Sequence, residues 1–196
     1  MKKDLTYAFI AGLITGVFLI PTFKNNNIII PYQNFILLLA LPLAALVGIA
    51  IAKIIGRYFK VIFQLAKFTL TGVFNASIDF GILNILMVFS GITAGVGYVI
   101  FKSVSFIIAN LNSYFWNRMW TFEEKGGGES GEYLKFLIVS IIGLLINVGA
   151  ASFIVNFTNP SFNFNDNQWA NIGAVVGSFA GLLWNFLGYK LIVFKK

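Results

Sequence analysis

Residues 68–89 read FTLTGVFNASIDFGILNILMVF, twenty-two positions of which one, Asp79, carries a charge. A helix of that length and apolarity is what crossing the ~30 Å hydrocarbon core of a bilayer requires. Asp79 lies eleven residues in, near the middle of the crossing. A carboxylate is costly at that depth, so it marks either a functional site or a buried polar contact between helices.

Outward from this run, five more apolar stretches appear, at about residues 6–23, 35–55, 98–120, 136–157 and 169–194. Hydrophobic residues make up 58% of the 196 and charged residues 11%, with a mean hydropathy of +0.84. Too little polar surface remains to cover a water-soluble domain. The expected fold is an all-α integral membrane protein of about six transmembrane helices. Lys2 and Lys3 ahead of the first stretch resemble the start of a signal peptide. The PTFK that follows at 21–24 offers no small-residue cleavage site, so this helix is expected to stay in place. Pro42 interrupts the second stretch and is expected to kink it.

Basic residues set the expected orientation, because Lys and Arg are retained on the cytoplasmic side. Twelve of the fourteen fall on one side of the six-span arrangement: Lys2, Lys3, Lys53, Arg57, Lys60, Lys67, Arg118, Lys125, Lys135, Lys190, Lys195 and Lys196. Lys24 and Lys102 fall on the other. Both termini are therefore expected in the cytoplasm, with the chain in the cytoplasmic membrane. The net charge of +7 is explained by orientation and not by nucleic acid, whose binding needs basic residues gathered on a soluble face. Residues 123–132, with three consecutive glycines, read as a cytoplasmic hinge.

The last two-thirds of the chain repeats itself. Lys67-Phe68 opens the third stretch as Lys135-Phe136 opens the fifth, and at that offset Asp79 pairs with Asn147 and Gly81 with Gly149. In the second helix of each copy Tyr114 pairs with Phe186, Arg118 with Lys190, and Phe122 with Phe194. Each copy holds two spans, so both enter the membrane in the same sense and the repeat is parallel. The expected architecture is a four-helix core of two such hairpins, residues 60–196, preceded by an extra helical pair, residues 1–59.

The elements F-x-x-x-G-x-x-N-x-x-x-D at 68–79, YFWNRMWTF at 114–122, and Asn185-Phe186 through Lys190 to Val193-Phe194 resemble the GtrA-like family of small four-helix membrane proteins. The resemblance covers about residues 66–196, and its most specific part is Asn-Arg-x-Trp-Thr-Phe. It implies a part in moving polyprenyl-phosphate-linked sugars across the bacterial cytoplasmic membrane, since similar helices are also fused to some polyprenyl-phosphate mannose synthases. Two departures stand out. The pair at 1–59 is extra, and the second copy has Tyr189-Lys190 where Asn-Arg is expected.

The residues can be read on their own chemistry. Arg118 and Lys190 end the fourth and sixth spans amid Tyr114, Trp116, Trp120 and Tyr189, a combination suited to a phosphate and a sugar ring or prenyl chain. Helix-end Lys and Arg also snorkel, and Trp and Tyr also form interfacial belts, so anchoring explains each residue singly. Asp79 either pairs with Lys102 in the neighbouring span or, protonated, holds helices together through Asn75 or Asn147. Asn75, Asn84, Asn110, Asn112, Asn147 and Asn185 add neutral donors and acceptors to a polar passage, or serve as interhelical glue.

Glycines at 173, 177, 181 and 188 flatten one face of the last helix, for a contact within the bundle or between copies in a homo-oligomer; Gly12 and Gly16 form a shorter version on the first. Arg57, Lys60, Gln64 and Lys67 share one helical face opposite Tyr58, Phe59, Ile62 and Phe63. That pattern reads as an interfacial helix on anionic membrane lipids, able to gather lipid carriers or to dock a glycosyltransferase.

Three functions compete on these residues. The first is translocation of polyprenyl-phosphate-linked sugars: Arg118 and Lys190 capture the phosphate, Asn75, Asp79, Asn112, Asn117, Trp120, Asn147 and Asn185 line the route, and Lys102 receives the phosphate on the far side. The second is a non-transporting anchor for a cytosolic polyprenyl-phosphate glycosyltransferase. The third is a small proton-coupled exporter using Asp79. Catalysis by this chain is not expected, because no segment outside the membrane is large enough to hold a nucleotide-sugar domain. With no Cys and no His, thiolate and imidazole chemistry are excluded, and no cofactor or metal is called for.

Overall fold

The computed structural model describes residues 2–121, 130–188 and 192. Phe122, Tyr189, Lys190, Val193, Phe194 and residues 123–129 of the expected hinge lie outside them, as do the side chains of residues 130–133 and 186.

Six helices account for the described chain. The first, α1 (Lys2–Asn25), carries Asp4 in its first turn and Lys24 in its last, each sign matching the helix dipole. Next comes α2 (Gln33–Ile55), which opens into a π turn at Ile36–Ala40, where the Leu41 N–H reaches back five residues to the Ile36 carbonyl. Pro42 follows at once. It has no N–H to give and its ring crowds the preceding turn, so the kink expected from sequence takes the form of this widened turn.

After a turn at 56–59, α3 (Lys60–Ser90) runs unbroken for 31 residues, ~46 Å at 1.5 Å per residue. The separate interfacial helix expected around Arg57 to Lys67 is therefore absent as an independent element. Arg57 to Phe59 lie in the turn and Lys60 to Lys67 form the overhang of a helix too long for the hydrocarbon core, with Lys67 buried and not on an outer basic face. The α3 helix stops at Gly91, whose N–H caps the Met87 carbonyl at 2.8 Å and whose φ of +70° is the left-handed geometry that glycine adopts without penalty. The remaining helices are α4 (Gly95–Thr121), ending in a second π turn at Asn117–Thr121, then α5 (Ser130–Phe157) and α6 (Asp166–Gly188).

Five of these helices, α1 to α5, are long and apolar enough to cross a membrane; α6 has the length, at 23 residues, with a more polar start. The distribution of side chains fits a lipid solvent. Phe89 is 88% exposed and Leu145 67%, while Thr71, Asn84, Lys102 and Ser105 are completely buried. In water that arrangement would be unstable; in a bilayer it places polar groups where other polar groups can satisfy them. The chain is an all-α, multi-pass membrane protein.

The helices form two compact units, Met1–Ile85 with Ile108–Glu124, and Leu86–Ile107 with Lys125–Lys196. In the first, α1 and α2 touch backbone to backbone. A Cβ on Gly12 would lie 2.7 Å from the Pro42 Cα, and one on Gly16 would run into the Leu37 carbonyl. The outer face of this pair is not left bare: Ala11 packs with Phe74, Ile78 and Ala109, and Ala8 packs with Ile49 and Trp120. In the second unit, α6 lies along α5 through the glycine row that sequence marked. A Cβ on Gly173 would approach the Ala151 carbonyl at 2.9 Å, one on Gly177 would strike the Asn147 carbonyl, and one on Gly188 would meet Val139 at 2.5 Å. The row serves a contact within the chain.

Candidate functional site

In the first unit, α3 carries a buried polar row. Lys67, Thr71, Asn75 and Asp79 recur every fourth residue, slanting ~40° around the helix per step, and are 3%, 0%, 9% and 5% exposed. The facing helix α4 is antiparallel and in clear register. The Lys67 Nζ donates to the Trp120 carbonyl at 3.3 Å, and two turns further along the Asn112 Nδ2 donates to the Asn75 Oδ1 at 2.6 Å. Asp79 thus faces the interior of its unit and not the lipid.

The π turn at Asn117–Thr121 coincides with the Asn-Arg-x-Trp-Thr-Phe element. Adding a residue to the turn brings Asn117, Trp120 and Thr121 all inside, which a regular helix, advancing 100° per residue, would spread over more of its circumference. Asn117 donates to the Ser113 hydroxyl at 3.1 Å. Arg118 remains half-buried, its Nη1 donating to the Tyr114 hydroxyl at 3.1 Å. Four buried polar atoms around this stretch, Thr71 Oγ1, Asn75 Nδ2, Asn117 Oδ1 and Thr121 Oγ1, have no hydrogen-bond partner among the described residues. Buried polar atoms are rarely left so in native proteins, so this part of the α3–α4 hairpin suits a hydroxyl-bearing guest or water.

Trp120 occupies a different place from the one expected. It is fully buried, flanked by Tyr7 at 5.7 Å and Trp116 at 5.8 Å between ring centroids. Its indole N–H points to the Asp4 Oδ1 at 3.4 Å. The ring faces expected for a sugar are covered by aromatic neighbours, because the π turn rotates Trp120 inward. Asp4 also holds Lys53 at 2.7 Å and Lys67 at 3.3 Å. This charge cluster was not foreseen: Lys53 and Lys67 read as topology markers, and the sequence assigns no role to Asp4. The available signal was an acid in the first turn of an apolar helix that is otherwise preceded by lysines.

At the other end of the same unit, Asn84 is completely buried and engaged. Its Oδ1 accepts from the Asn25 Nδ2 at 2.7 Å and its Nδ2 donates to the Phe80 carbonyl at 2.8 Å. This is interhelical glue.

The second unit holds Lys102, Asn147 and Asn185. Lys102 is completely buried. Asn147 and Asn185 both sit in the α5–α6 contact, Asn147 with its Nδ2 3.2 Å from a Cβ built on Gly181, and Asn185 with its Oδ1 2.5 Å from one built on Gly143. The glycines make room for the two amides, and each amide keeps a buried oxygen with no partner among the described residues. Trp184 donates to the Val139 carbonyl at 3.0 Å and the Tyr98 hydroxyl to the Ala170 carbonyl at 2.9 Å, fixing the helix packing on either side.

The structure thus brings together Asn75 and Asn112, and places Asn117, Arg118 and Trp120 on one turn of the same hairpin. The family profile described as "GtrA/DPMS, transmembrane domain" matches residues 67–194. A similar protein is the "Uncharacterized membrane protein YngA" of Bacillus subtilis (strain 168), 30% identical over 130 residues, which cover 66% of this chain and 78% of that one. No solved structure matches the chain.

Proposed function

This chain belongs to the GtrA/DPMS transmembrane-domain family, and from that premise we propose that it moves polyprenyl-phosphate-linked sugars across the cytoplasmic membrane, with both termini in the cytoplasm. The observation that carries the reading is the buried polar row of α3, Lys67 to Asp79, in which the Thr71 Oγ1 and Asn75 Nδ2 have no hydrogen-bond partner among the described residues, in a protein whose outer surface is apolar. A lipid-linked sugar needs such an interior, because its prenyl chain can stay in lipid while its hydroxyls and phosphate cannot.

Arg118, half-buried at the end of the hairpin, receives the phosphate as a fork-shaped donor. Asn75, Asn112 and Asn117 offer amides to sugar hydroxyls, and Asp79 accepts from them deeper in. Asn147 and Asn185, with Lys190, extend the same role to the second hairpin, and Lys102 of α4 receives the phosphate on the far side. Trp120 acts by holding the turn and not by touching sugar. No bond is made or broken in this scheme, so the role is not enzymatic. Anionic lipids neighbour the exposed Arg57 and Lys60.

Purified protein in proteoliposomes with labelled polyprenyl-phosphate sugar tests this. The unaltered chain is expected to equilibrate the lipid between leaflets, and Asp79→Ala and Arg118→Ala to slow it at least about tenfold, the effect of losing one charged contact worth 1.5–3 kcal/mol. Normal rates in both variants would remove the mechanism.

A second reading is favoured by the exposed turn Arg57, Tyr58, Phe59 and Lys60 between α2 and α3. Basic and aromatic together, it suits the docking of a cytosolic glycosyltransferase. Co-purification that depends on Arg57 and Lys60, with no lipid movement by the chain alone, would establish this role in place of the first.

A further inference from the structure

We propose that Asp4 is a positioning residue that latches the Asn-Arg-x-Trp-Thr-Phe turn, and that this latch is what the extra helical pair contributes to the site. Asp4 and Lys53 lie outside the segment that matches the family, which begins at residue 67. They nevertheless meet its most specific element. The Asp4 carboxylate takes Lys53 at 2.7 Å, Lys67 at 3.3 Å and the Trp120 indole N–H at 3.4 Å, and Lys67 in turn donates to the Trp120 carbonyl at 3.3 Å.

The arrangement has a specific mechanical consequence. The Lys67 ammonium reaches across from α3 to donate to the Trp120 carbonyl. Trp120 is therefore held at its indole N–H and at its backbone carbonyl, from two different helices. Arg118 lies two residues earlier on the same π turn, so fixing Trp120 fixes the backbone that presents the guanidinium. The Phe63 ring, 4.5 Å from the Lys67 ammonium and 5.5 Å from that of Lys53, closes the cluster beneath the two cations.

Burial makes Asp4 indispensable to this geometry. Asp4 is 8% exposed, Lys67 3% and Trp120 fully buried. Removing the carboxylate takes from the buried Lys67 ammonium the counter-charge at 3.3 Å and from the indole N–H its acceptor, and relief comes by releasing the turn. Lys53, with 36% side-chain exposure, can turn to solvent; Lys67 cannot.

The test reads the turn itself, so it stands or falls separately from the transport reading, on which only the consequence for Arg118 rests. The chain has no cysteine, so introduced thiols are labelled without background. Thr121→Cys reports the latched turn, and Val139→Cys, fully buried in the second unit, reports general packing. Asp4→Ala is expected to speed maleimide labelling of the first thiol by at least about tenfold, as expected when a local opening becomes easier than global unfolding, and to leave the second unchanged. Asp4→Glu keeps a carboxylate for the two ammonium groups and for the indole N–H and is expected to keep most of the protection. Unchanged labelling at position 121 in Asp4→Ala, an equal rise at both positions, or an Asp4→Glu variant as open as Asp4→Ala would each overturn the proposal.

Discussion

At the scale of single residues, the Asn75–Asn112 pair is the most direct link between helix packing and the proposed route. A 2.6 Å amide–amide bond between the buried Asn75 and the half-buried Asn112 contributes little net energy when made, but breaking it leaves an unpaired group in an apolar setting. Asn75→Ala and Asn112→Ala are each expected to destabilise the protein by about 1–3 kcal/mol. The double variant should recover part of that loss, with a coupling of about 1 kcal/mol, measured by denaturation in detergent. Full additivity would mean that the two amides do not interact. The burial of Asp79 was legible from sequence because the lone charge in a 22-residue span is costly where it faces lipid. Asp4 was not, because its meaning depends on Lys53 and Lys67, which are distant in sequence and become its neighbours only when α1, α2 and α3 pack.

At the scale of elements, the helices were legible and their irregularities only in part. Composition and length located all six, and Pro42 signalled the π turn that precedes it. Nothing in Asn117–Thr121 signals the second π turn, since none of these residues forbids a regular helix; its register is set by Asp4 and Lys67 from other helices. The interfacial segment was misjudged for a similar reason: a periodic basic face cannot show that one of its members, Lys67, has a buried carboxylate to meet. The glycine row on α6 was legible, but its partner helix was not. Since a Cβ at Gly177 would strike the Asn147 carbonyl, Gly177→Ala is expected to cost about 1–3 kcal/mol by overpacking. Gly149→Ala, where nothing lies within 4 Å, should be neutral or raise stability by up to ~1 kcal/mol through helix propensity. Thermal denaturation of the two variants in the same detergent separates a close helix contact from a general intolerance of change.

At the scale of the whole molecule, the claim is that a lipid-facing exterior encloses hydrogen-bonding groups for a sugar-phosphate head group. The proposed orientation rests on the distribution of charge, and thiols placed at Lys2 and Lys60 are expected to react with an impermeant reagent only from the cytoplasmic side, with one at Lys24 reacting only from outside. The most direct test of the claim is to photo-crosslink a polyprenyl-phosphate sugar that carries a diazirine on its sugar ring, and to map the adducts by mass spectrometry. Adducts are predicted on the α3–α4 hairpin, around residues 71–79 and 112–118, and are predicted to fall away in Arg118→Ala. Adducts confined to lipid-facing side chains such as Phe89 and Leu145, and indifferent to Arg118, would contradict it.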